Sequence, residues 1–129
     1  MNRILAGAGV QMLAVRSNDV VVGWCDIVRN PLEGFRHVGR LGMGLLPHYR
    51  GQGLGKRLTV ETIRAARLAG IERVELEVFA SNERAVALYR KLGFVTEGVK
   101  RRARKLDGQY DDNVVMALFD EGGGRCFES

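Results

Sequence analysis

Along this chain of 129 residues, apolar residues repeat with the period of a strand in some segments and with the period of a helix in others. The order of these segments is the feature that constrains the fold most strongly. Apolar residues at every second position predict two strands within residues 12–28 and a third strand over residues 38–46. Over residues 55–69 the period becomes helical, and the predicted inner side includes Leu58, Thr62, Ala66 and Leu68. The pattern then predicts a strand over 74–79, a helix over 81–92 and a terminal hairpin that turns at Asp107 and Gly108.

The predicted order combines parallel and antiparallel connections. The central strand–helix–strand segment needs a right-handed parallel crossover, whereas the flanking hairpins are antiparallel. The sequence therefore predicts the α/β class, a single mixed sheet domain over residues 12–119. Residues 1–11 would be the remnant or fragment of an N-terminal region, and residues 120–129 a flexible tail. Such sheets bind ligands beyond the carboxyl ends of their parallel strands.

The composition excludes several classes of protein. Apolar residues make up 46% and charged residues 27%, as in ordinary globular proteins. No apolar run has membrane-spanning length and the first residues lack a signal-peptide layout, so we expect no membrane association and a cytoplasmic location. Cys25, Cys126, His37 and His48 form no ligand cluster, and no metal is predicted.

The segment RGQGLGK, residues 50–56, lies between the third predicted strand and the first helix. Glycines allow close approach of the backbone, and amide N–H groups at a helix start attract anions. Arg50 and Lys56 add positive charge. A Walker loop does not fit, because Arg50 and Arg57 stand where that motif needs glycine and serine or threonine. The evenly spaced glycines do not match a dinucleotide fingerprint either. A phosphate cradle and a turn without a ligand both remain open.

Two motifs of the GCN5-related N-acetyltransferases (GNAT) resemble segments of this chain. Arg50, Gly53 and Gly55 fill the family's Q/R-x-x-G-x-G/A loop. Downstream, LEVFASNERAVALYRKLGF resembles the segment LEV-x-x-x-N-x-x-A-x-x-L-Y-x-x-x-G-F, and is similar to ribosomal-protein alanine acetyltransferases. The resemblance covers about residues 12–119. It implies acetyl-CoA as co-substrate, held between two parallel strands that splay apart.

The resemblance also implies which residues bind the cofactor. Backbone amides of residues 51–56 would hold the pyrophosphate, and the pantetheine arm would lie along the third strand and against an asparagine. The implied cofactor-binding residues are Met43, Gly44, Leu45, Arg50, Gly51, Gln52, Gly53, Leu54, Gly55, Lys56 and Asn82.

Acetyl transfer to an amine needs a base for the amine, donors for the oxyanion and an acid for the departing thiolate. Tyr89 fits the acid, although its ring could instead serve only packing. Glu77 is the candidate base, although it could merely order the sheet. The oxyanion donor would be a backbone N–H near Leu45. The acceptor could be a protein N-terminus or a small-molecule primary amine.

One departure from the family leaves further alternatives open. The usual member begins with a strand and two helices, where this chain has residues 1–11. The chain could be a shortened member, a fragment, or one that a partner subunit completes. The missing strand predicts an uncovered sheet edge at residues 12–16, and hence a homodimer or higher oligomer. A non-catalytic acetyl-CoA-binding module is the main alternative function.

The net charge of +5 allows a second alternative, a basic nucleic-acid-associated domain. The run KRRARK, residues 100–105, supplies much of this charge. No aromatic residues interleave with it, which argues against base stacking, and a solvated face of a strand is the favoured interpretation.

Overall fold

The computed structural model of the chain describes residues 3–7, 9–16 and 18–120. The chain forms two compact units, which we call the N-terminal unit (residues 1–72) and the C-terminal unit (residues 73–129). In the described residues, no helix combines the length and the apolar character that crossing a bilayer requires.

The N-terminal unit is an antiparallel sheet with one long helix. Its strands pair in chain order, and Pro47–Tyr49 forms a short 3-10 helix after the last of them. The elements are β1 (Arg3–Ala6), β2 (Gln11–Val15), β3 (Val21–Arg29), β4 (Val38–Leu45) and α1 (Leu54–Leu68). The predicted strands and helix of this unit are thus present, within three residues at each end. Between β2 and β3, Asp19 has a φ of +63°, while residue 17 lies outside the described residues.

The predicted sheet edge at residues 12–16 is wrong. β1 pairs antiparallel with β2, so that Arg3 lies opposite Val15 and Ala6 opposite Met12. Four residues from the segment interpreted as a remnant therefore cover that edge. The alternation of apolar residues in this segment is too short to predict a strand from the sequence. The strand is stabilised by its pairing with β2.

The buried face of α1 differs in part from the predicted one. Leu58, Thr62 and Ala66 are buried as expected, and Ile63 is buried too. Leu68, predicted to face inward, is 92% exposed. Leu68 follows Ala66 by two residues, which is about 200° around the helix, and its side chain therefore lies on the side opposite the buried face. The helix then ends before Gly70, whose φ is +87°.

The C-terminal unit is a three-stranded antiparallel sheet with one helix. The last described strand of the chain lies in the middle of this sheet. The elements are β5 (Arg73–Phe79), α2 (Glu83–Lys91), β6 (Val95–Leu106) and β7 (Gln109–Phe119). The predicted hairpin turn at Asp107 and Gly108 is confirmed, and their φ values of +51° and +75° are those of a type I′ turn. Residues 121–129, most of the predicted tail, lie outside the described residues.

Candidate functional site

The glycine loop ends in a helix N-terminus that has no side-chain cap. Gly51 and Gly53 have φ values of +75° and +78°, which favour glycine. Gly53 is the N-cap of α1, and no side chain accepts a hydrogen bond from the helix start. The first amides of an α-helix have no partner within the helix, so the start of α1 favours an anion.

The surroundings of the loop glycines leave room for a ligand. A Cβ on Gly53 would meet no heavy atom within 4 Å. A Cβ on Gly55 would make only ordinary contacts with Met43, at 3.6 Å from Cε and 3.8 Å from Sδ. Packing against the described residues therefore does not require glycine at these two positions. The residues fit the pyrophosphate of acetyl-CoA, which would occupy this space.

Two polar side chains brace the loop. The Nε atom of Arg50 donates to the carbonyl oxygen of Leu45 at 3.1 Å. The Nε2 atom of Gln52 donates to the carbonyl oxygen of His48 at 2.8 Å. Arg50 thus fixes the loop to the end of β4, in addition to the charge that the sequence predicted for it.

The direction of the backbone amides at the end of β4 follows from its pairing with β3. Leu45 lies opposite Gly23 on β3, and the next amide, of Leu46, donates to the carbonyl oxygen of Val22 at 2.9 Å. Amide direction alternates along a strand, so the N–H of Leu45 points away from β3. This is the group that the sequence predicted as oxyanion donor. The hydroxyl of Thr59 donates to the carbonyl oxygen of Gly55 at 2.8 Å and lies 3.5 Å from Sδ of Met43.

In the C-terminal unit, Glu77 lies on β5 with its carboxylate held from two sides. Nζ of Lys100 lies 2.8 Å from Oε2, and Nδ2 of Asn113 donates to Oε1 at 3.1 Å. The Glu77 side chain is 15% exposed. The carboxylate is therefore ordered by the sheet, and both roles predicted for it, base and ordering residue, remain compatible with its position.

Tyr89 lies on the inner face of α2 and is 6% exposed. Its ring packs edge-to-face against Phe94, with 5.5 Å between centroids and an interplanar angle of 64°. Packing of the ring, one of the two predicted roles, is thus present. The role of the hydroxyl as an acid is a separate property that packing does not exclude.

Asn82 is the N-cap of α2. Its Oδ1 atom accepts a hydrogen bond from the amide of Ala85 at 3.2 Å. This cap satisfies one of the free amides at the helix start. The side-chain Nδ2 makes no hydrogen bond with the described residues, so it can donate to the pantetheine arm as the family resemblance implies.

Sequence reasoning missed the partners of the basic run. Besides Lys100, Arg104 is also used structurally: it pairs with Asp111 at 3.0 Å and lies 3.8 Å from the ring centre of Phe79. The hydroxyl of Ser81 donates to Asp111 and, with Arg104, lowers the pKa of that carboxyl. A strict alternation count would not have found these pairs, because β6 bulges between Lys100 and Arg104.

Two residues of β3, Trp24 and Asp26, were not among the predicted site residues. They lie opposite Gly44 and Gly42 of β4, next to the predicted cofactor strand. Alternate positions on a strand share a face, which is the signal that could have placed them beside the site.

Comparison with known proteins identifies the family to which the chain belongs. The model of the acetyltransferase (GNAT) family matches residues 3–94. This match covers more than half of the chain, which belongs to the GNAT family.

Individual relatives agree with that assignment. The chain is 37% identical over 111 residues to the N-alpha-acetyltransferase RimI of Mycobacterium tuberculosis, covering 83% of this chain and 66% of that protein. Among the curated relatives it matches, the chain spans between 27% and 66% of their length.

Solved structures confirm the fold class as GNAT-like and mixed α/β. The ribosomal-protein-alanine N-acetyltransferase of Brucella melitensis gives a TM-score of 0.77 at 29% identity, covering 85% of this chain and 68% of that chain. The acetyltransferase yncA of Salmonella typhimurium, solved with its cofactor acetyl-CoA, gives a TM-score of 0.79 at 25% identity. That comparison covers 86% of this chain and 65% of the other. The predicted similarity to ribosomal-protein alanine acetyltransferases is thereby confirmed.

Proposed function

We propose that this protein transfers the acetyl group of acetyl-CoA to an amine, and that the amine is the N-terminus of a protein. The observation that carries the proposal is the uncapped start of α1, preceded by Gly51 and Gly53 at positive φ, with open space above Gly53. Such a start binds phosphate groups, and the family assignment identifies the phosphates as those of acetyl-CoA.

The residues of the chain would divide the work of the reaction. Acetyl-CoA, when bound, supplies an acetyl group activated as a thioester. The amides of residues 51–56 hold its pyrophosphate, while Met43, Gly44, Leu45 and Asn82 bind the pantetheine arm. The amide of Leu45 donates to the acetyl oxygen as that oxygen gains negative charge. Glu77 accepts a proton from the amine, directly or through water, and Tyr89 gives a proton to the departing sulfur.

Two observations support a protein N-terminus as acceptor. One curated relative and one solved structure, of which the chain spans 66% and 68%, carry the names N-alpha-acetyltransferase and ribosomal-protein-alanine N-acetyltransferase. In addition, an α-amine with a pKa of about 8 is partly neutral at pH 7, whereas a lysine amine with a pKa of about 10.4 is almost entirely charged. The Glu77 carboxylate already binds Lys100 and Asn113. It therefore fits better as the base for an α-amine, which loses its proton more easily than a lysine amine.

The deciding experiment measures release of CoA thiol from acetyl-CoA with N-terminal peptides and, separately, with small primary amines. We expect turnover with N-terminal peptides. Turnover with small amines alone would overturn the proposed acceptor. Binding of acetyl-CoA without turnover on any acceptor would identify a non-catalytic binding module. Binding of nucleic acid with steep salt dependence, and no binding of acetyl-CoA, would favour the basic-domain hypothesis. The cytoplasmic location stays a prediction.

A further inference from the structure

One face of the N-terminal sheet carries a row of apolar side chains that leads to the proposed cofactor strand. Leu5, Leu13, Trp24 and Gly44 lie opposite one another across the four strands. The neighbours of Trp24 on β3 point to the other face, where Cys25 is fully buried and its carbonyl oxygen accepts from Thr62 of α1. Trp24 therefore lies on the face opposite α1, and 40% of it is exposed.

The indole of Trp24 lies against β4 where that strand has no side chains. A Cβ on Gly44 would come within 2.5 Å of Nε1, and a Cβ on Gly42 would lie 3.4 Å from Cζ3. The two glycines thus make room for the ring, which keeps its other side exposed. An exposed aromatic ring beside a cofactor strand is a surface on which a ligand can stack.

Asp26 places a carboxylate beside this ring. It follows Trp24 on the same face and lies opposite Gly42. Its Oδ1 atom lies 3.3 Å from the Cβ position of Gly42, the same point that the indole edge approaches. Asp26 is half-buried, and its carboxylate makes no hydrogen bond or ion pair with the described part of the chain. The next residue on this face of β4, Arg40, has an interaction of its own.

An unpaired, partly buried carboxylate next to an exposed indole favours a cation. The carboxylate supplies opposite charge where water is partly excluded, and the ring attracts a guanidinium or ammonium group to its face. Arginine suits both partners best, since its planar group stacks on aromatic rings and donates in pairs to carboxylates.

We propose that Trp24 and Asp26 bind a basic side chain of the acceptor peptide and thereby determine acceptor specificity. The inference rests on the proposed function, because it takes the reacting amine to lie near the amide of Leu45. Gly42 precedes Leu45 by three residues, about 10 Å along an extended strand. An arginine or lysine two to four residues from the N-terminus of an extended peptide spans that distance.

Trp24 is the single tryptophan of the chain, so its fluorescence reports directly on this site. The probes are two peptides with an N-terminal alanine, one with arginine and one with glutamine at the third position. We expect the arginine peptide to quench Trp24 and to bind about tenfold more tightly than the glutamine peptide. Asp26→Asn should abolish this preference. Glu33→Gln, a matched charge change in the exposed loop before β4, should keep it.

Turnover separates this inference from the proposed function. With the arginine peptide, Asp26→Asn and Trp24→Phe should raise KM and change kcat little, since neither side chain contacts the reacting atoms. Gly42→Ala, which adds a methyl group where the carboxylate and ring meet, should raise KM in the same way. Equal affinities for the two peptides in a protein that acetylates both would overturn the inference and leave the proposed function standing. Asp26-dependent quenching by spermidine, without quenching by the arginine peptide, would also overturn it.

Discussion

Cys25 illustrates at the residue scale how the fold changes the chemistry of a side chain. The thiol is fully buried between the sheet and α1, and burial raises its pKa from 9.0 to about 11. A buried thiol of this kind is a packing residue and not a nucleophile at neutral pH. The second cysteine, Cys126, lies outside the described residues.

The raised pKa of Cys25 predicts a pH dependence of stability. Between pH 9 and pH 11 the unfolded chain loses this proton while the folded chain keeps it, so the free energy of unfolding should fall with rising pH. The loss from this group should approach about 1.4 kcal/mol per pH unit. Denaturant titrations of the unchanged protein and of Cys25→Ala over this pH range separate the contribution of Cys25 from that of other titrating groups. An identical pH slope in the two proteins would contradict the prediction.

Tyr89→Phe tests the proposed acid. The variant keeps the ring that packs on Phe94, so the unfolding free energy should change by less than about 1 kcal/mol. Loss of the hydroxyl should lower kcat by about a hundred- to ten-thousand-fold, with little change in acetyl-CoA affinity. Steady-state kinetics and calorimetry check the two quantities. A kcat close to that of the unchanged protein would remove Tyr89 from the mechanism.

Glu77→Gln tests the proposed base. Turnover at neutral pH should fall, and it should recover as the pH rises and the acceptor amine loses its proton without help. Glu75→Gln is the matched control, since Glu75 lies on the same face of β5 but pairs with Arg73. A loss at Glu77→Gln that persists equally at every pH would show that this carboxylate only orders the sheet.

At the scale of elements, the junction of β4, the glycine loop and α1 determines the proposed binding of acetyl-CoA. The strand end supplies an amide, the glycines reverse the chain at positive φ, and the helix supplies further amides. None of these groups belongs to a particular side chain, so the backbone conformation determines the proposed binding.

Gly53→Val therefore has two separable effects. Because Gly53 has a φ of +78°, any substitution strains the turn, by about 1–2 kcal/mol, and the new side chain enters the space proposed for the pyrophosphate. Gly34→Val is the control, since Gly34 has a φ of +87° and equally open surroundings in the loop between β3 and β4. Both variants should lose similar stability in thermal unfolding, while only Gly53→Val should abolish acetyl-CoA binding in calorimetry. Unchanged affinity in folded Gly53→Val would overturn the assignment of the loop.

At the scale of the whole molecule, the predicted homodimer needs a different surface from the one first expected. β1 covers the edge of β2 and itself pairs only with β2 among the described strands. The amide of Gly7 donates to Gln11, so by alternation the amide of Ala6 points outward. An outward row of backbone donors and acceptors is a surface on which a second copy can pair by a two-fold axis.

Ala6→Pro tests this surface. Proline removes the outward donor of Ala6 and leaves the pairs of β1 with β2 intact. We expect the unchanged protein to be a dimer at micromolar concentration and Ala6→Pro to shift it toward monomer, as measured by light scattering. A monomer in both samples would contradict the predicted homodimer. That result would not affect the proposed function.

The sequence by itself determined the properties that depend on near neighbours. Hydrophobic period located β2 to β7 and both helices, and Asp107 and Gly108 marked the hairpin turn. The spacing of Arg50, Gly53 and Gly55 matched the loop motif of the family. Positive φ and an uncapped helix start depend on residues that are close neighbours in the chain, so a short motif can predict them. Tertiary structure alone decided that residues 3–6 pair with β2, that Lys100 and Asn113 hold Glu77, and that Trp24 and Asp26 converge over Gly42. These contacts join residues far apart in the chain, and their free energy comes from packing and charge that no local pattern contains.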